Sequence, residues 1–198
     1  ATVEAAEIEA SLAGTPDNAA ADRRILRRVL GISFVLAMLV HVSGIDTIID
    51  YAPLVLKSAG WKIDAALFST FVIGTVNFLF TLISFWTIDR YGRKPLYIVG
   101  SLGMALALLL LLWAFAAGEL NGAILLVLMG VFIAFFASCI GPVFWTLVPE
   151  IFPNGARGRA MVVPVVTQWV TNAIVVLLFP LAFHRLGKIP TFAFLMSM

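Results

Sequence analysis

The sequence predicts an all-α fold, a bundle of helices that crosses a membrane several times. Three observations predict it. Hydrophobic residues make up 62% of the chain and charged residues 12%, about half the charge of an ordinary soluble domain. Mean hydropathy is +1.04. The apolar residues gather into runs long enough to span hydrocarbon, which takes about 20 residues of helix.

Five segments qualify in turn: Leu30–Leu56, Ala65–Trp86, Leu96–Ala117, Gly122–Val148 and Met161–Phe183. They are too long and too evenly apolar for barrel strands, which alternate. Backbone groups in lipid need internal partners, so these runs must be helices. A sixth run begins at Pro190 and reaches Met198, nine residues on; as a helix stub it is too short to span. The domain expectation is a cytosolic segment over 1–28 and a transmembrane domain over 29–198. Within the first segment, Glu4–Leu12 suits a short surface helix ending near Gly14, and Thr15–Asn18 reads as a turn. Glu4, Glu7, Glu9, Asp17 and Asp22 leave no apolar core for a secretory signal.

Orientation follows from Lys and Arg. Nine of the 13 cations, Arg23, Arg24, Arg27, Arg28, Arg90, Arg93, Lys94, Arg157 and Arg159, fall on one side of this topology; Lys57, Lys62, Arg185 and Lys188 fall on the other. The richer side is expected in the cytoplasm, which puts residues 1–28 there. The net charge of +2 gives no argument for nucleic acid. The single cysteine, Cys139, forms no internal disulfide and reads as a small packing residue.

Two charged cassettes end long apolar runs: Asp89–Lys94 reads DRYGRK and Glu150–Ala160 reads EIFPNGARGRA. Gly92 permits a tight turn between helices. Pro153 and Gly155 break a helix. Asp89, Arg90, Arg93, Glu150 and Arg157 are candidates for a charge network on the cytoplasmic face. The plainer reading is a set of solvated loop charges, with pairs worth about 0–1 kcal/mol each.

The wording of the cassettes resembles the cytoplasmic loops of the sugar porter family of the major facilitator superfamily. Further stretches carry the resemblance. Ser43-Gly44-Ile45-Asp46 and Tyr51-Ala52-Pro53 resemble the family's seventh helix, Gly74-Thr75-Val76-Asn77 its eighth, Gly141-Pro142-Val143-Phe144-Trp145 its tenth and Gln168-Trp169 its eleventh. The pattern is nearest to bacterial xylose–proton symporters and is shared with facilitative glucose transporters. The resemblance implies the C-terminal half of a major facilitator fold, truncated in its last helix, whose partner would be a missing N-terminal half. It implies a monosaccharide substrate such as xylose or glucose, alternating access in the cell membrane, and no cofactor. The proton-coupling residues of the symporters lie largely in the other half, so symport does not carry over.

By the same resemblance Asn77, Trp145 and Gln168 line the sugar site, with Asp46 on its rim and Trp169 beside it. Amides both donate and accept, as sugar hydroxyls require, and an aromatic face suits the apolar side of the ring. Taken alone, Asn77 also suits a hydrogen bond between helices, and Trp145 suits interfacial packing. The seventh helix departs from the family. Val40 and His41 stand in place of a glutamine pair, Asp46 in place of an asparagine and Asp50 in place of a tyrosine. An ionised carboxylate cannot donate, so a neutral sugar loses donors here. Asp46 and Asp50, four residues apart, share a helix face and repel when both are ionised. With His41 they suit proton or cation handling, because ionisable groups at membrane depth are functional candidates.

The alternatives are a sugar-binding fragment that does not transport, natural or engineered, and a transporter of a cationic or proton-linked substrate. An intramembrane enzyme fits less well. Acid-pair catalysis needs carboxylates facing across a substrate, and no metal-ligand or serine–histidine constellation accompanies these two.

Overall fold

The computed structural model describes residues 16–117, 121–152 and 157–185. The described residues form helices and short connections, in the order α1 (Pro16–Val42), α2 (Ile45–Ser58), α3 (Ile63–Tyr91), α4 (Arg93–Ala116), α5 (Gly122–Phe135), a π-helical turn (Phe136–Ile140), α6 (Gly141–Ile151), α7 (Arg157–Ala160) and α8 (Val162–Arg185). They group into five segments long and apolar enough to cross a membrane: Arg24–Lys57, Ile63–Tyr91, Arg93–Ala116, Gly122–Ile151 and Arg157–Leu181. Each contains most or all of one expected run.

The expected turn at Thr15–Asn18 needs correction, because α1 already begins at Pro16. Proline suits a first helical position, where its missing N–H is no loss. Asp17 follows it into the first turn, the positive end of the helix dipole. The helix expected at Glu4–Leu12 and the stub at 190–198 lie outside the described residues.

Three of the five spans are not continuous α-helices, the last being interrupted at Met161 between α7 and α8. The first breaks at Ser43 and Gly44. Gly44 has φ 81° and ψ 18°, a left-handed conformation that costs an L-residue with a Cβ about 1–2 kcal/mol. Ser43 closes the end of α1 by donating to the Val40 carbonyl at 2.6 Å. Gly44 N–H bonds the His41 carbonyl at 3.0 Å, and the Gly44 carbonyl accepts from Ile48 at 2.9 Å to start α2. The fourth span carries the π turn. Pro142 follows it directly. A proline inside an α-helix strands the carbonyl four residues back and clashes with it. The wider turn relieves that conflict one residue early, where Gly141 N–H reaches back to the Phe136 carbonyl.

The core lies where α2, α3, α4, α5 and α6 meet. Ile45, Leu56, Ile73, Leu111, Leu125, Met129, Phe132, Ile133 and Phe144 are fully buried there. Lipid tails are as apolar as these side chains, so close packing rather than water exclusion holds the helices together. Glycine makes that closeness possible on α4. A Cβ on Gly103 would stand 2.4 Å from the Phe135 ring, and one on Gly100 2.6 Å from the Cys139 Cβ. Cys139 is buried against that glycine. Outward, Phe71, Phe85, Trp86, Leu102, Trp113, Val127 and Leu177 are largely exposed, a face suited to lipid.

Candidate functional site

A cavity of about 420 Å³ opens beside the break in the first span. Its walls come from α1, α2, the π turn, α6 and α8. The polar lining is His41, Asp46, Asp50, Gln168 and Asn172, and the aromatic lining is Phe136, Trp145 and Trp169. The volume falls within the range of about 300–1,000 Å³ usual for small-molecule sites.

The sequence builds this place locally. Because Gly44 turns the chain, the last turn of α1 and the first turn of α2 face one another. His41 Nδ1 and Asp46 Oδ2 meet across that break. His41 is buried, whereas the Asp46 side chain is 30% exposed. Asp50 sits one turn further along α2 and is exposed. Tyr51 holds α2 against α8: its hydroxyl donates to the Val176 carbonyl at 3.1 Å, and its ring lies 5.1 Å from Phe179. On α6, Phe144 meets Trp145 edge-on at 5.4 Å. Gln168 is 7% exposed, and its Oε1 is buried without a hydrogen-bond partner in the described structure.

Asp46, Trp145, Gln168 and Trp169 therefore line one cavity. Asn77 does not join them. It lines a separate depression of about 330 Å³ with Ile49, Ile73, Gly74, Phe78 and Thr81. The reason is the packing of α3 against α2, which carries Asn77 to the Ile49 flank. There the Asn77 Oδ1 lies 3.4 Å from the Thr81 hydroxyl, one turn on. Asn172 is a lining residue that the sequence analysis passed over. The signal was present: it stands four residues after Gln168, the spacing that returns to the same helix face.

The charged cassettes form a second locus. Gly92, φ 76°, is the whole connection between α3 and α4. It sets Arg93 at the start of α4, where Arg93 Nη2 donates to Glu150 Oε1. Arg90 instead lies over the rings of Trp86 and Tyr91, at 5.3 and 6.0 Å. Among the described residues no ion pair joins Asp89 or Arg157 to this contact. Nor does any group of three or more His, Cys, Asp or Glu gather to hold a metal.

Comparison with known proteins gives a consistent family. The chain is 40% identical over 153 residues to the D-xylose-proton symporter of Escherichia coli strain K12, covering 77% of this chain and 31% of that protein. It is 40% identical over 139 residues to the glucose facilitated diffusion protein of Zymomonas mobilis, covering 70% and 29%. It is 35% identical over 164 residues to the human facilitated glucose transporter member 3 of solute carrier family 2, covering 81% and 33%. The fold matches the proton:xylose symporter XylE bound to 6-bromo-6-deoxy-D-glucose with a TM-score of 0.77 at 34% identity, over 88% of this chain and 38% of that one. The chain thus spans about a third of the length of these relatives. Residues 2–198 match the family described as "Sugar (and other) transporter", and the chain belongs to that family, as a multi-pass membrane protein.

Proposed function

We propose that this chain forms part of a monosaccharide transporter and carries one wall of its substrate site. The observation that carries the reading is the cavity beside the helix break, where two indoles and two amides converge. Amides satisfy hydroxyl groups in both directions, and an indole face covers the apolar side of a sugar ring. The relatives' names point to the substrate class: xylose for one, glucose for two.

In this reading Trp145 stacks on the ring, while Gln168 and Asn172 bond hydroxyls. A second helical half closes the cavity. What supports the second half is that the relatives are about three times as long as the match. Transport then proceeds by rocking of one half against the other about the site, as in transporters built from repeats. No bond is made or broken, and no cofactor is needed. The Arg93–Glu150 contact serves as a latch on the cytoplasmic side in one of the two access states. The richness of that side in Arg and Lys supports its sidedness.

The test is uptake of labelled xylose and glucose by the protein expressed at full length and reconstituted in liposomes. Saturable uptake is expected. Gln168→Ala should weaken sugar affinity several-fold at unchanged membrane expression, since a hydrogen bond is worth about 0.5–1.5 kcal/mol. Absence of uptake of either sugar by a correctly folded protein would refute the reading.

A further inference from the structure

We infer that the cavity beside the first-span break prefers a hydroxylated amine, an amino sugar carrying its proton, over a neutral sugar. The inference rests on the transporter reading above and names the substrate class of that same site.

It comes from the unmet polar groups. With Nδ1 engaged by Asp46 Oδ2, the ring nitrogen of His41 left for a ligand is Nε2. That atom is buried and has no partner in the described structure, and the same holds for Gln168 Oε1. The two residues are 8% and 7% exposed. Buried polar atoms cost free energy until they are bonded. Gln168 Oε1 accepts, so its missing partner is a donor.

Charge points the same way. The titratable groups that line the cavity are His41 from α1 and Asp46 and Asp50 from α2; α6 and α8 contribute tryptophans and amides, and no Lys or Arg lines it. Asp50 thus faces the space with no Lys or Arg beside it, while Asp46 is engaged by His41. An ammonium group brings a positive charge and three donors with no acceptor. A neutral hydroxyl brings one donor and no charge. Trp145 and Trp169 suit both parts of such a ligand, since an indole face attracts a cation and covers a sugar ring.

The test compares binding of D-glucosamine, D-glucose and N-acetyl-D-glucosamine to the full-length protein in nanodiscs, by calorimetry at a pH where the free amine is protonated. Glucosamine should bind about tenfold more tightly than glucose, because hydrogen bonds to charged groups are about twice as strong as neutral ones. The N-acetyl derivative, which loses the charge, should lose that advantage. Asp50→Asn should reduce the glucosamine preference to about threefold or less, by loss of one facing charge. Asp46→Asn should do the same, but it also releases His41, so Asp50→Asn supplies an independent reading. Glucose binding as tightly as glucosamine would overturn the inference and leave the transporter reading intact. So would glucose affinity that rises as pH falls, with no amine preference; that pattern marks His41 as a plain proton site. A preference unchanged in both aspartate variants would overturn the assignment to these carboxylates. Failure of all three ligands to bind would overturn the inference, and would sink the transporter reading with it only if xylose uptake is absent too.

Discussion

Replacing Gly44 with alanine tests whether the break in the first span is imposed by local backbone chemistry. Gly44 sits at φ 81°. A Cβ there meets the following carbonyl oxygen, at a cost of about 1–2 kcal/mol. The chain has two responses. It can keep the break and lose that stability, a factor of about 5–30 in the folded population. Or it can run helix through residue 44, which moves Asp46 away from His41 and closes the step that forms the cavity. Gly31 is the control. It lies mid-helix in α1, and a Cβ there meets nothing within 4 Å, so Gly31→Ala should stabilise by about 0.5–1 kcal/mol. Asparagine visits the left-handed region more readily than alanine, so Gly44→Asn should fall between wild type and Gly44→Ala. The assay is thermal unfolding of the full-length protein in nanodiscs, with sugar affinity measured in parallel. Gly44→Ala should lower both stability and affinity, whereas Gly31→Ala should lower neither. If the two alanine variants behave alike, the break does not depend on the left-handed glycine, and the account of the cavity built on it fails.

The other predictions concern packing, anchoring, charge and sidedness. Gly103→Val should destabilise by about 1–3 kcal/mol through overpacking, because even a Cβ lies 2.4 Å from the Phe135 ring; a variant as stable as wild type would show that α4 and α5 are not tightly joined. Tyr51→Phe removes the bond to the Val176 carbonyl and should cost about 0.5–1.5 kcal/mol, read by the same unfolding assay. A double-mutant cycle on Arg93 and Glu150, whose side chains are 39% and 49% exposed, should give a static coupling of no more than about 1 kcal/mol. A latch would appear instead as a shifted distance distribution between spin labels across the cytoplasmic mouth in Glu150→Gln. Single cysteines at Asn121 and Asn154, in a Cys139→Ser background, should differ toward an impermeant thiol reagent outside intact cells. Labelling is expected at 121 only, and labelling at 154 alone would invert the topology.

The spans were legible because lipid leaves the backbone little choice: a long apolar run must be a helix. Their interruptions were less so. The run from Leu30 to Leu56 reads as continuous by hydropathy, although the structure breaks it at Ser43 and Gly44. Hydropathy averages over a window and is blind to one residue's φ. The start of α1 was missed for the opposite reason. Thr15–Asn18 carries turn-forming residues, but proline and aspartate also open helices, and composition alone does not choose between the two. At the site, Asp46, Trp145, Gln168 and Trp169 could be nominated residue by residue, but their convergence is a tertiary fact. Asn77 shows the limit. Its residue type suits a sugar as well as Gln168 does, and only the way α3 packs on α2 decides which depression it faces. The contact of His41 with Asp46 was equally hidden, since a separation of five residues is not a helical pairing distance until a break intervenes.

The π turn at Phe136–Ile140 sets the angular phase of everything after it in the fourth span. An α-helix advances 360° in 3.6 residues, about 100° per residue. A π turn absorbs one extra residue without adding a step of rotation. The side chains of α6 are therefore dialled back by about 100° from where an unbroken helix would aim them. Trp145, five residues beyond the turn, faces the cavity in this phase. In an unbroken helix its azimuth would pass to a neighbour, and Trp145 would swing a quarter-turn or more toward another surface. Gly141 and Pro142 hold the extra residue at this point. Fewer than ten residues of backbone thus act as the key that indexes an aromatic wall, and the fourth span can be read as two helices cut to different phases and joined at one notch.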